Sequence, residues 1–266
     1  MKQDVYFIDA FTKEVFFGNP AAVIFSEIND EIIMQKIAAE NNLSETAFVN
    51  LNTESIRWFS PSCEVNLCGH ATLASAFAYF NFKENTKESV TWNSASGYLK
   101  VTKQDEYLQL DFPKDNYVEI NMIEQVFEAT GFRPNKTYLG EINLFAIFDS
   151  EEMIETMQPD FDKVSKLDGQ GLIVSSSSKK YDFVSRYFCP KYGINEDPVT
   201  GSAQTSLIPY WSNVLNKKIL NAKQISERGG EIFCENLDDR VLIGGNAVLY
   251  MKGTIAVSYT HLRAHE

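Results

Sequence analysis

The sequence predicts an α+β chain built from two similar units related by an internal repeat. Three observations carry this. At 266 residues the chain stands at the top of the single-domain range, so one large or two packed domains both fit. Two stretches match each other: Arg57-Trp58-Phe59-Ser60-Pro61 pairs with Arg186-Tyr187-Phe188-Cys189-Pro190, and Glu64–Ala71 pairs with Glu196–Ala203. The offset is 129 residues in the first match and 132 in the second, which one three-residue loop insertion explains. Each copy then opens a run of small and apolar residues, ATLASAFAYF in the first and AQTSLIPYW in the second. Such a run suits a helix buried on all sides. The repeated unit is therefore strand, loop, buried helix.

Taken in order, Val5–Ala10 and Ala21–Phe25 read as strands, with the turn former Gly18-Asn19-Pro20 before the second. Glu31–Glu40 places Ile32, Ile33, Ile37 and Ala38 at helical spacing. Glu45–Asn50 and Ser55–Phe59 are short β-rich runs, and His70–Asn81 is the first buried helix. Val90–Trp92, Tyr98–Thr102 and Tyr107–Phe112 return to strand alternation, and Pro113–Asn116 is the predicted crossing between units. The second unit begins with a helix over Met122–Thr130, ended by Gly131, and strands at Lys136–Leu139 and Leu144–Phe148. A short helix at Asp162–Lys166, strands at Leu172–Ser176 and Phe183–Phe188, and the second buried helix at Ser202–Leu215 follow. Val241–Leu242, Ala247–Met251 and Thr254–Val257 close this unit as strands. Ser175–Ser178 with Lys179-Lys180 reads as a solvated loop. The predicted domains are residues 1–114 and 115–257. Residues 258–266, SYTHLRAHE, break the pattern and read as a non-native tail.

Composition narrows the function. The chain is 44% hydrophobic and 13% aromatic, ample for a core. Its 24 Lys and Arg against 36 Asp and Glu give a net charge of −12. That excludes a basic footprint for nucleic acid and disfavours an anionic membrane surface. Nothing in the chain has the length of a membrane span or the form of a signal peptide, so a cytoplasmic location is expected. Of three histidines, His261 and His265 fall in the tail, which leaves His70. One histidine cannot build a multi-histidine metal site. Cys63, Cys189 and Cys234 read as buried reduced thiols, with neither a disulfide framework nor a zinc site.

The repeat carries chemistry. The first N–H groups of a helix lack intrahelical partners, and the macrodipole leaves that end positive. Gly69 and Gly201 stand just before the two buried helices, and a glycine lets a ligand reach the backbone. Two such helix starts facing across a cleft would hold a small carboxylate, with Gly69, Ala71, Gly201 and Ala203 as the binding positions. An acidic protein can then bind an acid without lysine or arginine.

Four segments in order, NPAAVIF (Asn19–Phe25), NLSETAFV (Asn42–Val49), CGHATLASA (Cys68–Ala76) and EDPVTGSA (Glu196–Ala203), resemble the PhzF-like isomerases of phenazine biosynthesis. The resemblance runs to about Val257. It implies the diaminopimelate epimerase-like fold: two domains related by pseudo-two-fold symmetry, each an antiparallel barrel-like sheet around a central helix, with the active site between them. It also implies a homodimer working without metal or organic cofactor. Carried over position by position, the acid/base carboxylate falls on Glu45, the active-site histidine on His70, the aspartate on Asp197 and the serine on Ser202. Gly18-Asn19-Pro20 matches the family's GNP motif and is read as structural in part. Arg228-Gly229-Gly230 resembles a segment near the site.

Read locally, Glu45 serves equally well as a cap beside Ser44 or as a general base, since a carboxylate beside Ala47-Phe48-Val49 is costly to bury without a role. His70 at a helix start is expected to stay neutral beside the positive dipole end. Asp197 and Ser202 are candidates for positioning or relay, or merely caps. Racemases of the related epimerase type use two cysteines, one from each half. Here Cys68 precedes Gly69, but Thr200 precedes Gly201, so that pair is broken. The expected activity is a one-carboxylate isomerase acting by proton transfer on a small carboxylate-bearing metabolite. An amino-acid epimerase or a silent metabolite-binding homologue are the alternatives.

Overall fold

The repeat is visible in how the strands pair. In a computed structural model that describes residues 2–257, the first half runs β1 (Lys2–Ala10), β2 (Asn19–Phe25), α1 (Glu31–Asn41), β3 (Glu45–Asn50), β4 (Ser55–Phe59), β5 (Glu64–Val65), α2 (Gly69–Phe82), β6 (Ser89–Ser94), β7 (Gly97–Lys103) and β8 (Leu108–Pro113). The second half runs β9 (Val118–Ile120), α3 (Ile123–Thr130), β10 (Lys136–Leu139), β11 (Leu144–Ile147), α4 (Glu151–Thr156), α5 (Phe161–Val164), β12 (Leu172–Ser177), β13 (Phe183–Phe188), β14 (Glu196–Asp197), α6 (Gln204–Leu215), β15 (Ile219–Gln224), β16 (Gly230–Asn236) and β17 (Arg240–Gly245), before β18 (Ala247–Ala256). β2 is parallel to β3 and β3 antiparallel to β4, as β11 is parallel to β12 and β12 antiparallel to β13. The 132-residue offset carries Leu108–Pro113 of β8 onto Arg240–Gly245 of β17, and these two strands pair antiparallel with each other. That pairing is self-equivalent, as a pseudo-two-fold axis between the halves requires.

α2 is buried almost throughout and packs against β1, β2, β3, β7, β8 and β18, while α6 packs against β15, β16 and β17. One apolar core joins these two central helices and their strands across both halves, from Tyr6 and Trp58 to Leu207 and Trp211. Satellite cores hold α1 outside the first half and α3 to α5 outside the second. Among the described residues no helix is long and apolar enough to cross a membrane.

The R-aromatic-F-x-P repeat has a structural purpose. Arg57 donates to both carboxylate oxygens of Glu64 (2.7 and 2.6 Å), and Arg186 to both of Glu196 (2.8 and 2.8 Å). Each bidentate pair clips the loop that leads into a central helix. Arg186 also donates to the carbonyls of Ile154 and Met157, tying down α4.

The crossing at Pro113–Asn116 is docked. Pro209 inside α6 cannot donate to the Thr205 carbonyl, and the backbone N–H of Asp115 donates there instead at 3.2 Å. The Asp115 carboxylate in turn accepts from Ser206 Oγ and from the Glu141 backbone N–H.

Several elements differ from the sequence reading. Ala247–Met251 and Thr254–Ala256 fall in one continuous strand, with Val257 just beyond it, and this strand pairs with β1 of the first half because the chain crosses back after Gly245. Ser175 and Ser176 are buried in β12, where Ser175 Oγ donates to the Val184 carbonyl and accepts from Trp211 Nε1. The strand reading of Leu172–Ser176 therefore holds and the overlapping loop reading begins too early, with the Ser175 hydroxyl satisfied by a tryptophan N–H and a carbonyl. α4, β15 and β16 carry too many polar residues for periodicity to mark them, and β9 is only three residues long. Cys63 is exposed rather than buried, while Cys189 and Cys234 are buried and all are free thiols. The tail reading at 258–266 lies outside the described residues.

Candidate active site

The site gathers the first residues of β2 and β3, the start of α2, and the loop from β14 to α6. β2 and β3 are parallel neighbours, with Ala21 opposite Glu45, so Asn19 and Glu45 emerge at the same end of the sheet. The Asn19 turn is set by Gly18: a Cβ there would lie 2.1 Å from the Ala10 carbonyl oxygen, at φ +68°. Arg228 holds this turn from the second half, donating to the carbonyls of Gly18 (2.8 Å) and Phe17 (3.0 Å) and to the buried Asp9 carboxylate (2.8 Å).

The start of α2 and the turn that leads into α6 face one another at backbone contact. A Cβ on Gly69 would lie 3.1 Å from Gly201 Cα, and one on Gly201 3.2 Å from Gly69 Cα. Only glycine at both positions permits this approach without displacement of the chain. α2 begins at Gly69 itself, whereas Gly201–Ala203 form a tight turn before α6 starts at Gln204, two residues later than the sequence reading places it. Ser202 is half-buried in this turn, and its carbonyl accepts from Thr205. The side chains of Ala71 and Ala203 belong to the apolar core.

Glu45, His70 and Asp197 come together between the halves. Glu45 Oε2 lies 3.2 Å from His70 Nε2, and the oxygen is buried without a well-aligned hydrogen bond, so the contact is an ion-pair approach rather than a directed bond. His70 is buried, and its Nδ1 lies 3.1 Å from Asn19 Nδ2. Asn19 Nδ2 also donates to Asp197 Oδ1 (2.8 Å) and to the Val199 carbonyl (2.9 Å). The other Asp197 oxygen accepts from Thr200 Oγ1 at 2.5 Å. Gln224, fully buried, fastens this loop: it accepts from the Thr200 N–H and donates to the Asp197 carbonyl and to Thr200 Oγ1. Two residues that organise the site, Asn19 and Gln224, carried no catalytic signal in the sequence. Asn19 was legible as a turn residue and as part of the GNP motif, read as structural in part, and Gln224 reaches the loop from a strand 24 residues on.

The electrostatics differ from the expectation for His70. Burial would lower its pKa, but contact with Glu45 and the charges of Glu45 and Asp197 outweigh burial and hold it above the usual 6.5. Two carboxylates at close range act more strongly than a helix dipole. Burial, with the Glu45 charge, pushes Asp197 from 3.8 up to about 6, against the lowering pull of His70, Thr200 and Asn19. Burial and then the Glu45 charge push the Cys68 thiol well above its usual range, so Cys68 stays protonated.

These shifts give a stability prediction. Native Asp197 holds a proton that the unfolded chain releases between pH 3.8 and about 6, so its contribution is present below that window and lost as pH rises through it. His70, also raised, loses its stabilisation in a separate window above 6.5. Asp197→Asn is expected to remove the loss in the lower window and to make unfolding at about pH 7 harder by on the order of 2–3 kcal/mol. Urea unfolding at several pH values measures this; an unchanged pH slope in the variant would refute the assignment.

Glu45, Cys68 and His70 also present three metal-ligand donors within 4.8 Å of one another. The set fits a metal poorly. Metal on His70 Nε2 requires a hydrogen on Nδ1, and Nδ1 faces the Asn19 amide nitrogen, which has no lone pair to accept it. Glu45 and His70 are better placed to exchange protons than to share an ion.

Fold and site together define a two-halved protein of the epimerase-like fold, with carboxylates from both halves meeting a histidine near the contact of Gly69 and Gly201. The family described as phenazine biosynthesis-like protein matches residues 8–253. An uncharacterized isomerase of Pseudomonas aeruginosa is 44% identical over 97% of this chain and 100% of its own length. A phenazine biosynthesis-like domain-containing protein of Bos taurus is 37% identical over 96% of this chain and 99% of its own. The crystal structure of a PhzF-family phenazine biosynthesis protein from Enterococcus faecalis superposes with a TM-score of 0.93 at 47% identity, covering 97% of this chain and all of that one. The chain belongs to the PhzF family of phenazine biosynthesis-like proteins. A hydroxyproline epimerase from Agrobacterium vitis shares the fold alone, with a TM-score of 0.65 at 9% identity over 96% of this chain and 93% of that one.

Proposed function

We propose that the protein is an isomerase that moves a proton within a small carboxylate-bearing metabolite. The observation that carries this is the placement of Glu45 against His70, with Asp197 supplied by the other half, beside two helix starts in backbone contact. The start of α2 at Gly69 and the Gly201–Ala203 turn leading into α6 supply positive potential for the substrate carboxylate, and Ser202 stands in that turn to orient it. Glu45 removes a proton from carbon and returns it at another position, with His70 steadying the carboxylate between the two transfers.

The alternative of a symmetric two-thiol racemase is disfavoured by the same residues. Thr200 Oγ1 donates to Asp197, and the Cys68 thiol is held protonated, so neither position supplies a base. The reading predicts solvent deuterium in the product. A screen of small unsaturated and amino carboxylic acids in deuterated buffer, read by mass spectrometry, tests it. Exchange with a shifted double bond supports the isomerase. Exchange with inversion at an α-carbon supports an epimerase, and tight binding of a carboxylate without any exchange supports a silent binder.

A further inference from the structure

Asn19 is fully buried and lies at the junction of the two halves. Its amide nitrogen meets three groups: Asp197 Oδ1, the Val199 carbonyl and His70 Nδ1. The Val199 carbonyl can only accept a hydrogen bond, whatever the protonation state of Asp197. This fixes which end of the amide points there, since the reversed amide would set its oxygen against that carbonyl. The Asn19 oxygen accordingly faces away and is buried without a partner. The two amide hydrogens go to Asp197 Oδ1 and the Val199 carbonyl at the shorter distances, so His70 Nδ1, at 3.1 Å, faces an amide nitrogen that cannot accept a hydrogen. Cys68 Sγ, 3.5 Å from the same Nδ1, is placed to donate to it, because its thiol stays protonated.

We propose that Asn19 is a positioning residue that fixes the tautomer of His70, leaving Nδ1 bare and placing the hydrogen on Nε2, toward Glu45. A neutral imidazole with its hydrogen on Nδ1 would aim it at the Asn19 amide nitrogen, which cannot accept it, and would leave a lone pair against the Glu45 carboxylate at 3.2 Å. With Asn19 in place, the hydrogen sits on the ring nitrogen 3.2 Å from Glu45 Oε2, so Glu45 meets a protonated nitrogen rather than a repelling lone pair. The same amide also holds Asp197, so one side chain of the first half sets the geometry of an acid from the second. The consequence for turnover rests on the reading of Glu45 and His70 as the proton-handling pair; the tautomer itself does not.

Nitrogen-15 spectroscopy of histidine-labelled full-length protein, recorded without substrate at alkaline pH where the ring is neutral, tests the tautomer. His70 is distinguished from His261 and His265 by comparison with a His70→Asn sample. The expected wild-type result is a bare Nδ1 and a protonated Nε2. Asn19→Ala is expected to give a mixture of tautomers. Asn19→Asp, close in shape but presenting an acceptor, is expected to draw the hydrogen to Nδ1. In whichever substrate exchanges, both variants should lower kcat by about tenfold or more with a smaller change in KM. A wild-type ring with hydrogen on Nδ1 overturns the proposal, as does an unaltered tautomer in a folded Asn19→Ala or Asn19→Asp protein. If the wild type shows the expected tautomer but no substrate exchanges, the isomerase reading fails while the role of Asn19 stands.

Discussion

Glu45→Gln is expected to abolish solvent-deuterium exchange into substrate while leaving ligand binding within a few-fold of wild type. The side chain keeps its shape, and the amide can still meet His70 Nε2 at the 3.2 Å position of the carboxylate. What it loses is the ability to take a proton. Removing a positioned general base costs about 10²–10⁴ in rate. The variant also removes the nearest negative charge holding the His70 pKa up, so that value should fall toward the usual one. Exchange measured by mass spectrometry, with binding by calorimetry, reads both effects. Retained exchange defeats the assignment of Glu45 as the base; lost binding with retained exchange would make it a recognition residue.

Gly201→Ala is expected to damage binding and stability together. The added methyl would stand 3.2 Å from Gly69 Cα and 3.9 Å from the His70 backbone nitrogen. Both neighbours are backbone at the start of a buried helix, so neither can swing away as a side chain would. Forced overpacking of this kind costs about 1–3 kcal/mol. Parting the helix starts also separates the N–H groups assigned to the substrate carboxylate, and affinity should fall at least about tenfold. Gly253→Ala is the control: its added methyl meets nothing nearer than Val5 Cγ1 at 3.9 Å. If Gly201→Ala binds and unfolds like that control, the facing helix starts are packing and not a ligand site.

The repeat made much of this fold legible. Matching R-aromatic-F-x-P segments marked equivalent strands, and both glutamates that pair with the two arginines lie in the second matching segment. The two small-residue runs are the central helices because only small or apolar side chains fit a helix enclosed on all sides. Polar-rich strands were not legible. β15 and β16 alternate weakly, and their hydrogen-bonding partners, β13 and β17, are set by the crossover of the chain rather than by local pattern. The last strand belongs to the first half for the same reason: alternation identifies a strand but not the sheet that will accept it.

Within the site, the sequence named Glu45, His70, Asp197 and Ser202 through short motifs, each of which carries its chemistry in residue types. It also gave the glycines, whose lack of a side chain is a local property with a single consequence. It could not give the protonation balance of His70. That depends on two carboxylates reaching it from β3 and from β14, and burial acts on it in the opposite direction. Nor could it give Asn19 a role beyond a turn and a motif residue structural in part, since an amide becomes a tautomer lock only when a carbonyl from the far half fixes its orientation. The amino-acid sequence determined which groups were available and that they came in two related sets. The tertiary structure decided which of them face each other, because dielectric, donor direction and distance across the halves exist only once both are packed.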